Sequence, residues 1–473
     1  MQFDVALRNA RVVDPKNNTD TTGDIGIVNG RVAAVGKALG PAKENQDLTG
    51  KTCIPGVIDI HTHLSEAYLG KSSFADLALE GVTTALDVSG PTSTVMDNVI
   101  RFGCGMNLGI LDAALPGKTL SGRKAQRSEI LAFVEKSLAG GSYGVKILGG
   151  HFPFEPETTH DIIRIANDLK AHVAFHVGTT ASASNITGLR EAVAMSKDCQ
   201  MQVCHVQGYL RGAVLGDTLL EVKEGMALLQ TTENIVTEST VCELANDHAT
   251  CVDGLPASLV VRASLKLMGF EPTEKGLREA ILKGTVRVVV ARNDRMIMIA
   301  GEEGLHEFDK AKSQIMIMSP VNPRATGLVC ASAKDKEGHF VVDCLTADGG
   351  NAPREVQVRY GLALVRFAAL TLGELVTKLS LNPAKILGLE NKGHLGVGAD
   401  ADVTVLDLDR GIPCMGIVAG KTIMKDGEVY GEKGVIITTP AGVQAVRKAG
   451  LPYVANEPAK GWMYTPRSKR FTQ

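Results

Sequence analysis

Two histidines, His61 and His63, stand one residue apart at the end of an apolar segment. The segment reads Pro-Gly-Val-Ile-Asp-Ile-His-Thr-His over residues 55–63. Alternate side chains of an extended strand point to the same face, so both imidazoles would lie together where the strand ends. Neighbouring imidazoles are good ligands for a divalent metal ion, although a lone His-x-His pair can also be an ordinary surface feature. The rest of the chain decides between these two interpretations.

Three more residues that can bind a metal ion stand at the ends of later apolar segments. They are His176, His205 and Asp348. In a barrel of parallel strands, catalytic residues collect where the carboxyl ends of the strands meet. His172 would lie about 13 Å from His176 along one strand, so only one of them can reach that face. His176 is nearer the strand end and is predicted as the ligand, whereas His172 is expected near the barrel floor with a hydrogen-bond partner.

Lys146 lies inside the apolar segment Tyr-Gly-Val-Lys-Ile-Leu. A cationic lysine is costly to bury, so this position needs an explanation. One interpretation is a buried ion pair with Asp87 or Asp112, at the ends of neighbouring strands. The other is that the amine has reacted with carbon dioxide, because a carbamate has two oxygens that can bridge metal ions about 3.5–4 Å apart. The carbamate, Asp348 and a bridging hydroxide would then nearly balance the charge of two divalent ions.

The spacing of the apolar segments predicts the fold. Candidate strands centre near Ile58, Thr84, Gly109, Val145, Ala174 and Val203, and a seventh is predicted at 234–238. Their separation of roughly 25–36 residues fits one βα unit, and eight such units close a barrel. Helices are predicted between them at 71–80, 128–138, 159–169 and 186–197. The expected class is therefore α/β, a (β/α)8 TIM-like barrel.

Both chain ends have β character and are expected to form one composite β-sandwich. Asn29-Gly30 between two short strands suits a type I′ hairpin. The predicted domains are the N-terminal part of the sandwich at 1–54, the barrel at 55–392 with an insertion around 240–338, the C-terminal part of the sandwich at 393–450, and a tail at 451–473. The tail is polar and basic, so it would be solvated or would clasp a neighbouring subunit.

The composition excludes several functional classes. The chain has 473 residues, 44% of them hydrophobic, and a net charge of −2, which does not suit a nucleic-acid surface. It shows no signal peptide and no apolar run of about 18 residues, so neither export nor a membrane span is expected. Nine scattered cysteines without Cys-x-x-Cys spacing indicate reduced thiols in a cytoplasmic protein. Cys204 and Cys344 are expected to pack in the core.

As a set, these motifs resemble the amidohydrolase superfamily. The resemblance covers nearly the whole chain and includes Asn-Pro-Ala-Lys at 382–385 and Gly-Val-Gly-Ala-Asp-Ala-Asp-Val-Thr-Val at 396–405. It is closest to the binuclear branch that contains dihydropyrimidinases (hydantoinases), dihydroorotases, isoaspartyl dipeptidases and D-aminoacylases. The resemblance implies that His61, His63 and Asp348 bind one metal ion, that His176 and His205 bind the other, and that carbamylated Lys146 bridges both. It implies two divalent ions, with zinc expected and manganese, cobalt or iron as alternatives, and a homo-oligomer (dimer or tetramer).

The implied reaction is hydrolysis of an amide-type C–N bond in a small molecule, either a cyclic amide or imide or an N-acyl amino acid. A hydroxide bridging the metals would attack, and Asp348 would act as general base and then as general acid. Dihydropyrimidinases have a tyrosine five residues after the lysine, and His151 occupies that position here, where it could donate to the oxyanion. Three residues in predicted loops, Arg211, Asn351 and Arg354, are expected to bind substrate.

Two other functions compete with this one. A mononuclear aminohydrolase (deaminase) of the same superfamily usually has His-x-x-Glu on the fifth strand, but His176 is followed by Val-Gly-Thr. That function also leaves Lys146 unexplained. A non-catalytic, dihydropyrimidinase-like scaffold would lack metal ligands, whereas all six ligand positions are filled in this chain.

Overall fold

Eight parallel strands form the centre of the computed structural model, which describes residues 2–471. They are β1 (Val57–Thr62), β2 (Val82–Asp87), β3 (Cys104–Ala114), β4 (Gly144–Leu148), β5 (His172–His176), β6 (Met201–Val203), β7 (Ile235–Ser239) and β8 (Cys344–Leu345). Each strand pairs in parallel with the next. The last and first strands meet just beyond β8, where His63 N–H donates to the carbonyl of Gly349 at 2.8 Å. The barrel is thus nearly closed.

Helices follow the strands in the order expected of βα units. After β1 to β6 they are Lys71–Leu79, Thr92–Phe102, Arg127–Ala139, Pro156–Asp168, Ile186–Met195 and Thr218–Gln230; Arg324–Ser332 follows the insertion, and Gln357–Arg366, Leu372–Val376 and Asn382–Leu387 follow β8. The helix after β4 shows why they pack on the barrel. Pro156 starts it without losing an intrahelical hydrogen bond, and Ile162, Ile163 and Ala166 form a fully buried face.

The segment between β7 and β8 carries a small α/β unit with its own core, here called the insertion. Its antiparallel sheet consists of Ala245–His248, Arg287–Arg292, Arg295–Ile299 and Met316–Ser319, its helices are Leu259–Leu267, Glu274–Leu282 and Gly301–Lys310, and Cys251–Val252 pairs with Leu255–Pro256. Leu277, Ile281 and Phe308 are buried between sheet and helices. Leu259 N–H donates to the carbonyl of His151 at 3.2 Å, so the insertion contacts the loop after β4.

Both chain ends contribute to a single composite sheet of nine strands. The N-terminal strands are Phe3–Asp14, Thr19–Val28, Arg31–Gly36, Ala42–Asp47 and Thr52–Pro55; the C-terminal strands are Val403–Asp407, Ile412–Val418, Lys421–Lys425 and Glu428–Val429. Thr52–Pro55 joins the two sets by pairing antiparallel with Val403–Asp407. Asn29 and Gly30 have φ of 51° and 72°, as a type I′ hairpin requires. The predicted fold class is confirmed.

The last part of the chain packs against the barrel. Lys433–Thr438 pairs in parallel with β3, and Tyr453–Ala455 extends that edge, with the helix Val443–Lys448 between them. Tyr464 and Arg470 donate to backbone carbonyls at the amino ends of β5 and β7, at 2.7 and 2.8 Å. Residues 451–471 therefore differ from a solvated tail. Arg467 and Arg470 are buried and donate to the carbonyls of Phe340 and Ile235, and Trp462 is 9% exposed.

Two further features concern the helices and the cysteines. No helix within residues 2–471 has the length and apolar character needed to cross a membrane. All nine cysteines are free thiols, and eight are buried.

Candidate active site

A single cavity of 1270 Å³ opens at the carboxyl ends of the barrel strands. All ten residues that the sequence singled out for the site line it: His61, His63, Lys146, His151, His176, His205, Arg211, Asp348, Asn351 and Arg354. The strand ends bring them together from positions almost 300 residues apart. The fold therefore places these ten side chains together at the face where parallel-barrel proteins collect their reactive groups.

His61, His63 and Asp348 form a compact three-ligand group. One donor atom from each lies within 4.8 Å of the others. Asp348 Oδ1 is 3.3 Å from His61 Nε2 and 3.0 Å from His63 Nε2. Two imidazoles and one carboxylate are a donor set that zinc and related ions favour. The residues thus fit a divalent ion without rearrangement of the strands.

His176 and His205 lie on the adjacent side of the cavity. Their ring centroids are 4.4 Å apart, and the ring of His205 is 5.2 Å from that of His61. His176 Nε2 is hydrogen-bonded to the hydroxyl of Ser184 at 2.7 Å, which leaves Nδ1 as its available ligand atom. Two imidazoles alone would hold an ion weakly, so a second ion here requires a further anionic ligand.

Lys146 can be that ligand only after modification. Its side chain is fully buried, and its Nζ lies 2.9 Å from the thiol of Cys204. Lys146 forms no ion pair with any residue in the described part of the chain. The expected partners are engaged elsewhere, because Asp87 accepts from three backbone N–H groups and Asp112 accepts from Thr92. A buried lysine without an anionic partner fits a carbamate better than a structural ion pair.

Burial sets the charges of the ligands. It lowers the pKa of His205 to about 3 and holds the pKa of His61 and of His176 well below the ordinary value. Burial alone would raise the pKa of Asp348, but Arg354 and the neighbouring histidines together outweigh it, and the pKa falls well below its usual range. Neutral imidazoles and an ionised carboxylate are the forms that bind metal ions.

Glu238 is a site residue that the sequence reasoning missed. It lies on β7 and is fully buried. Its Oε1 is 2.5 Å from His61 Nδ1 and accepts from the backbone N–H of His205 at 2.7 Å. Carboxylates that bind the outer nitrogen of a ligand histidine orient the ring. The seventh strand was predicted to end at Glu238. The strand-end criterion that identified the other site residues therefore applies to it as well.

Cys204 packs in the hydrophobic core, as expected, and also contacts the site. It is buried, but its thiol contacts Lys146 and forms a second three-ligand group with His61 and Glu238. In a continuous strand, residues 204 and 205 would face opposite sides. The strand ends at Val203, however, and His205 has a φ of 27°, so the chain turns and both side chains face the interior. The expected core packing of Cys204 is confirmed, and its contact with Lys146 adds to it.

His172 is placed as expected. It begins β5, away from the ligands, and its Nε2 is hydrogen-bonded to the Gln202 side chain at 2.8 Å. Burial lowers its pKa to about 4, so it is a neutral core histidine.

The insertion holds His151 in the cavity. His151 Nδ1 is 2.9 Å from Ser258 Oγ and 3.4 Å from Asp247 Oδ1, and both partners belong to the insertion. The rings of His151 and His176 are 4.4 Å apart. Burial lowers the pKa of His151 to about 3 and raises that of Asp247 to about 7. The ring is therefore neutral and fixed at one nitrogen.

The three predicted substrate residues also contact the insertion. Arg211 donates twice to Asn322 Oδ1, at 3.1 and 2.8 Å. Asn351 accepts from Asn246 at 2.8 Å, and Arg354 donates to the same Asn246 and to Asp348 Oδ2, the latter at 3.0 Å. No pattern in the sequence indicates these contacts, because they depend on how the insertion folds over the barrel.

Comparison with known proteins agrees with this architecture. The sequence matches the amidohydrolase family over residues 52–439. It is 24% identical over 440 residues to a dihydroorotase of Elusimicrobium minutum (strain Pei191), covering 85% of this chain and 88% of the relative. The fold is similar to that of N-acyl-D-glutamate deacylase from Bordetella bronchiseptica, with a TM-score of 0.66, 15% identity, and coverage of 92% and 99% of the two chains.

A D-hydantoinase structure is also similar, with a TM-score of 0.58, 16% identity, and coverage of 92% and 98%. At these identities the structural likeness shows a common fold, whereas the family match spans most of the sequence. The expected resemblance to this branch is confirmed. The chain belongs to the amidohydrolase family, whose enzymes hydrolyse carbon–nitrogen bonds other than peptide bonds.

Proposed function

We propose that this protein hydrolyses an amide-type C–N bond in a small cyclic amide or imide or in an N-acyl amino acid, using a binuclear metal centre. The observation that carries the proposal is the position of Lys146. It is a fully buried lysine without an ion pair in the described chain, and it lines the same cavity as the histidines and Asp348. Neither a mononuclear deaminase nor a scaffold accounts for it.

The proposed ligands divide into two sets. His61, His63 and Asp348 would hold one ion, His176 and His205 the other, and the carbamate of Lys146 would contact both. Two bound divalent ions, zinc or alternatively manganese, cobalt or iron, would supply a shared hydroxide at neutral pH and polarise the substrate carbonyl. Side chains of the protein would carry out proton transfer, oxyanion stabilisation and substrate binding.

Asp348 is proposed to carry the proton. Its Oδ1 faces His61 and His63, and its Oδ2 is held by Arg354 at 3.0 Å. This arrangement leaves Oδ1 at the centre of the ligand group, where it would take a proton from the nucleophile and pass it to the leaving nitrogen.

His151 is proposed to stabilise the oxyanion. Ser258 Oγ accepts from the backbone N–H of Val261 at 3.3 Å and can therefore donate its own proton to His151 Nδ1. With Nδ1 accepting from Ser258, the ring proton would lie on Nε2, and this cavity-lining residue would act as a hydrogen-bond donor. A donor placed where negative charge develops lowers the barrier.

Two arginines, Arg354 buried and Arg211 half-buried, support an anionic group on the substrate. Arg211 and Arg354 both line the cavity, and Arg354 Nε and Nη2 have no hydrogen-bond partner among the described residues. A guanidinium with two unused N–H donors matches a carboxylate. Asn351 lies beside Arg354 and would contribute its amide.

Labelled carbon dioxide and metal analysis test the central claim. Purified wild-type protein should contain about two ions per chain and show a ¹³C carbamate signal after exposure to ¹³C-bicarbonate, and Lys146→Ala should lose the signal, one or both ions, and activity. Lys378→Met is the matched control, because Lys378 is equally buried but bonds Val342 O outside the cavity. Full metal content and turnover in Lys146→Ala would contradict the proposal.

A substrate panel tests the reaction class. Hydantoins, dihydropyrimidines, cyclic imides and N-acyl amino acids are compared with aminopyrimidines and esters at equal concentration. Turnover of at least one amide is expected. Turnover confined to aminopyrimidines or esters would reject amide hydrolysis.

We also propose a cytoplasmic setting and a homo-oligomer. Nine cysteines that form no disulfide support a reducing compartment, because structural disulfides are rare there and common in secreted proteins. Cell fractionation tests the first proposal. Sedimentation tests the second, and a monomer at micromolar concentration would contradict it.

A further inference from the structure

The cavity extends well beyond the metal ligands. It continues past Ser89 and Thr92 into an open groove between the segments that follow β2 and β3. This outer groove is lined by Ser93, Leu115, Lys118, Phe133 and Lys136. We propose that it binds the distal, anionic arm of an extended linear N-acyl substrate. The inference rests on the proposed amide hydrolysis and narrows its substrate class from compact rings to long acyl compounds.

The size of the cavity is the first evidence for an extended substrate. At 1270 Å³ it exceeds the range of about 300–1,000 Å³ that encloses most drug-sized ligands. A single dihydropyrimidine or hydantoin ring would fill only the part next to His63 and Asp348. The rest of the cavity would hold either water or the remainder of a longer substrate. The residues that line it indicate which of the two it suits.

The walls combine apolar surface with positive charge. Leu115 and Phe133 are half-buried and would cover an acyl chain. Lys118 and Lys136 are exposed, and neither forms an ion pair with any residue between 2 and 471. An anionic group at the end of the chain would meet these two ammonium groups.

The acidic residues of this region are already engaged. Glu129 bonds the hydroxyl and backbone N–H of Ser121, with the hydroxyl at 2.7 Å. Asp112 accepts from the backbone N–H and the hydroxyl of Thr92, at 2.7 and 2.9 Å. Both carboxylates are thus already bound by neutral donors of the protein, whereas the ammonium groups of Lys118 and Lys136 contact no hydrogen-bond acceptor among residues 2–471 and can meet an anionic group directly.

The outer groove is also preformed. Phe133 and Lys136 are three residues apart on the helix Arg127–Ala139, so their side chains share a face. The loop opposite is fixed by Leu115 N–H donating to Thr119 Oγ1, and by Gly117 N–H donating to the carbonyl of Leu120, each at 2.7 Å. Binding the arm would therefore require little ordering of the protein.

The experiment uses the metal-loaded enzyme and two series of N-acyl amino acids. In one series the acyl chain of four, eight or twelve carbons ends in a carboxylate; in the other, chains of equal length end in methyl. We expect kcat/KM to rise with length, and to rise further in the carboxylate series. Lys118→Gln and Lys136→Gln should each lower kcat/KM for the longest dicarboxylate by about threefold, since exposed ion pairs are weak, and leave the four-carbon methyl substrate unchanged.

Lys223→Gln is the matched control, because Lys223 is an exposed lysine on the helix Thr218–Gln230, outside the cavity. If short amides or cyclic imides are hydrolysed but chain length and the two lysine variants have no effect, the outer-groove inference is overturned and the proposed function stands. If no amide of any kind is hydrolysed, the proposed function fails, and this inference fails with it.

Discussion

Glu238 Oε1 lies 2.5 Å from His61 Nδ1, at the closed end of the ligand cluster. His61 is 1% exposed and Glu238 is fully buried, so water does not compete for this contact. The carboxylate fixes the ring so that Nε2 faces Asp348, at 3.3 Å. The same oxygen accepts from the backbone N–H of His205 and thereby links the two ligand sets. One carboxylate on β7 thus orients parts of both proposed metal sites.

Glu238→Gln should weaken metal binding without unfolding the protein. Glutamine keeps the shape but removes the negative charge that holds the His61 imidazole. Changes of this type cost about 10- to 100-fold in metal affinity. Competition of the enzyme with a chromophoric chelator measures the effect.

Glu221→Gln serves as the control for that variant. Glu221 is also fully buried, but it binds the backbone N–H groups of Gly212, Val214 and Leu215 outside the ligand cluster. The Glu221→Gln substitution should lower the stability of the protein and leave its metal affinity unchanged. Equal metal affinity in Glu238→Gln and wild type would show that the contact only packs the barrel.

Ser258→Ala should reduce turnover through His151. Without the hydroxyl at 2.9 Å, Nδ1 loses its fixed donor and the Nε2–H tautomer is no longer favoured. We expect kcat of Ser258→Ala to fall about three- to tenfold. The kcat of His151→Phe should fall by about 10²-fold or more, as when an oxyanion donor is removed. The ¹⁵N shifts of the ring report the tautomer.

Ser264→Ala is the matched control in the same inserted unit. Ser264 is buried, and its hydroxyl has no hydrogen-bond partner among the described residues. Its kcat should match that of wild type. Wild-type kcat in both His151→Phe and Ser258→Ala would remove His151 from the mechanism.

Arg354→Met should separate binding from catalysis. The arginine has unpaired donors at Nε and Nη2 and also holds Asp348 Oδ2 at 3.0 Å. KM should rise about 10- to 100-fold for a substrate with a carboxylate and stay near the wild-type value for its uncharged amide analogue, because a charged hydrogen bond is lost only in the first case. kcat should fall for both, since Asp348 loses its support.

Arg470→Met provides the comparison for loss of a buried arginine. Arg470 lies at the barrel floor and donates to the carbonyl of Ile235 at 2.8 Å. The Arg470→Met substitution should lower the melting temperature and leave the KM values for both substrates unchanged. A similar KM change for charged and uncharged substrates in Arg354→Met would show that Arg354 does not recognise the carboxylate.

The barrel and the residues at its strand ends could be predicted because both depend on local patterns. Each ligand histidine follows a short apolar run, and the runs recur at the length of a βα unit. Contacts made by the insertion could not be predicted in this way. Asp247 reaches His151, and Asn246 reaches Arg354, only after about 100 residues have folded into a separate sheet. The contact between the Cys204 thiol and Lys146 was not predicted for a local reason, namely the turn at His205.

Lys378 provides a prediction about pH and stability outside the active site. It is fully buried, its Nζ donates to Val342 O at 2.5 Å, and burial lowers its pKa to about 8. Between pH 8 and about 10.5 the unfolded chain keeps a proton on this lysine that the folded protein has released. The free energy of unfolding should therefore rise with pH across this window, by up to roughly 3 kcal/mol from this group.

Lys378→Met removes that contribution. Its free energy of unfolding, measured by urea denaturation from pH 7 to 10.5, should rise less steeply with pH than that of wild type. Because the desolvation cost of the charged amine is absent, the variant should gain most relative to wild type below pH 8, and the two curves should converge towards pH 10.5. Parallel curves over the whole range would show that Lys378 titrates equally in the folded and unfolded states, so that its burial has no effect on its proton affinity.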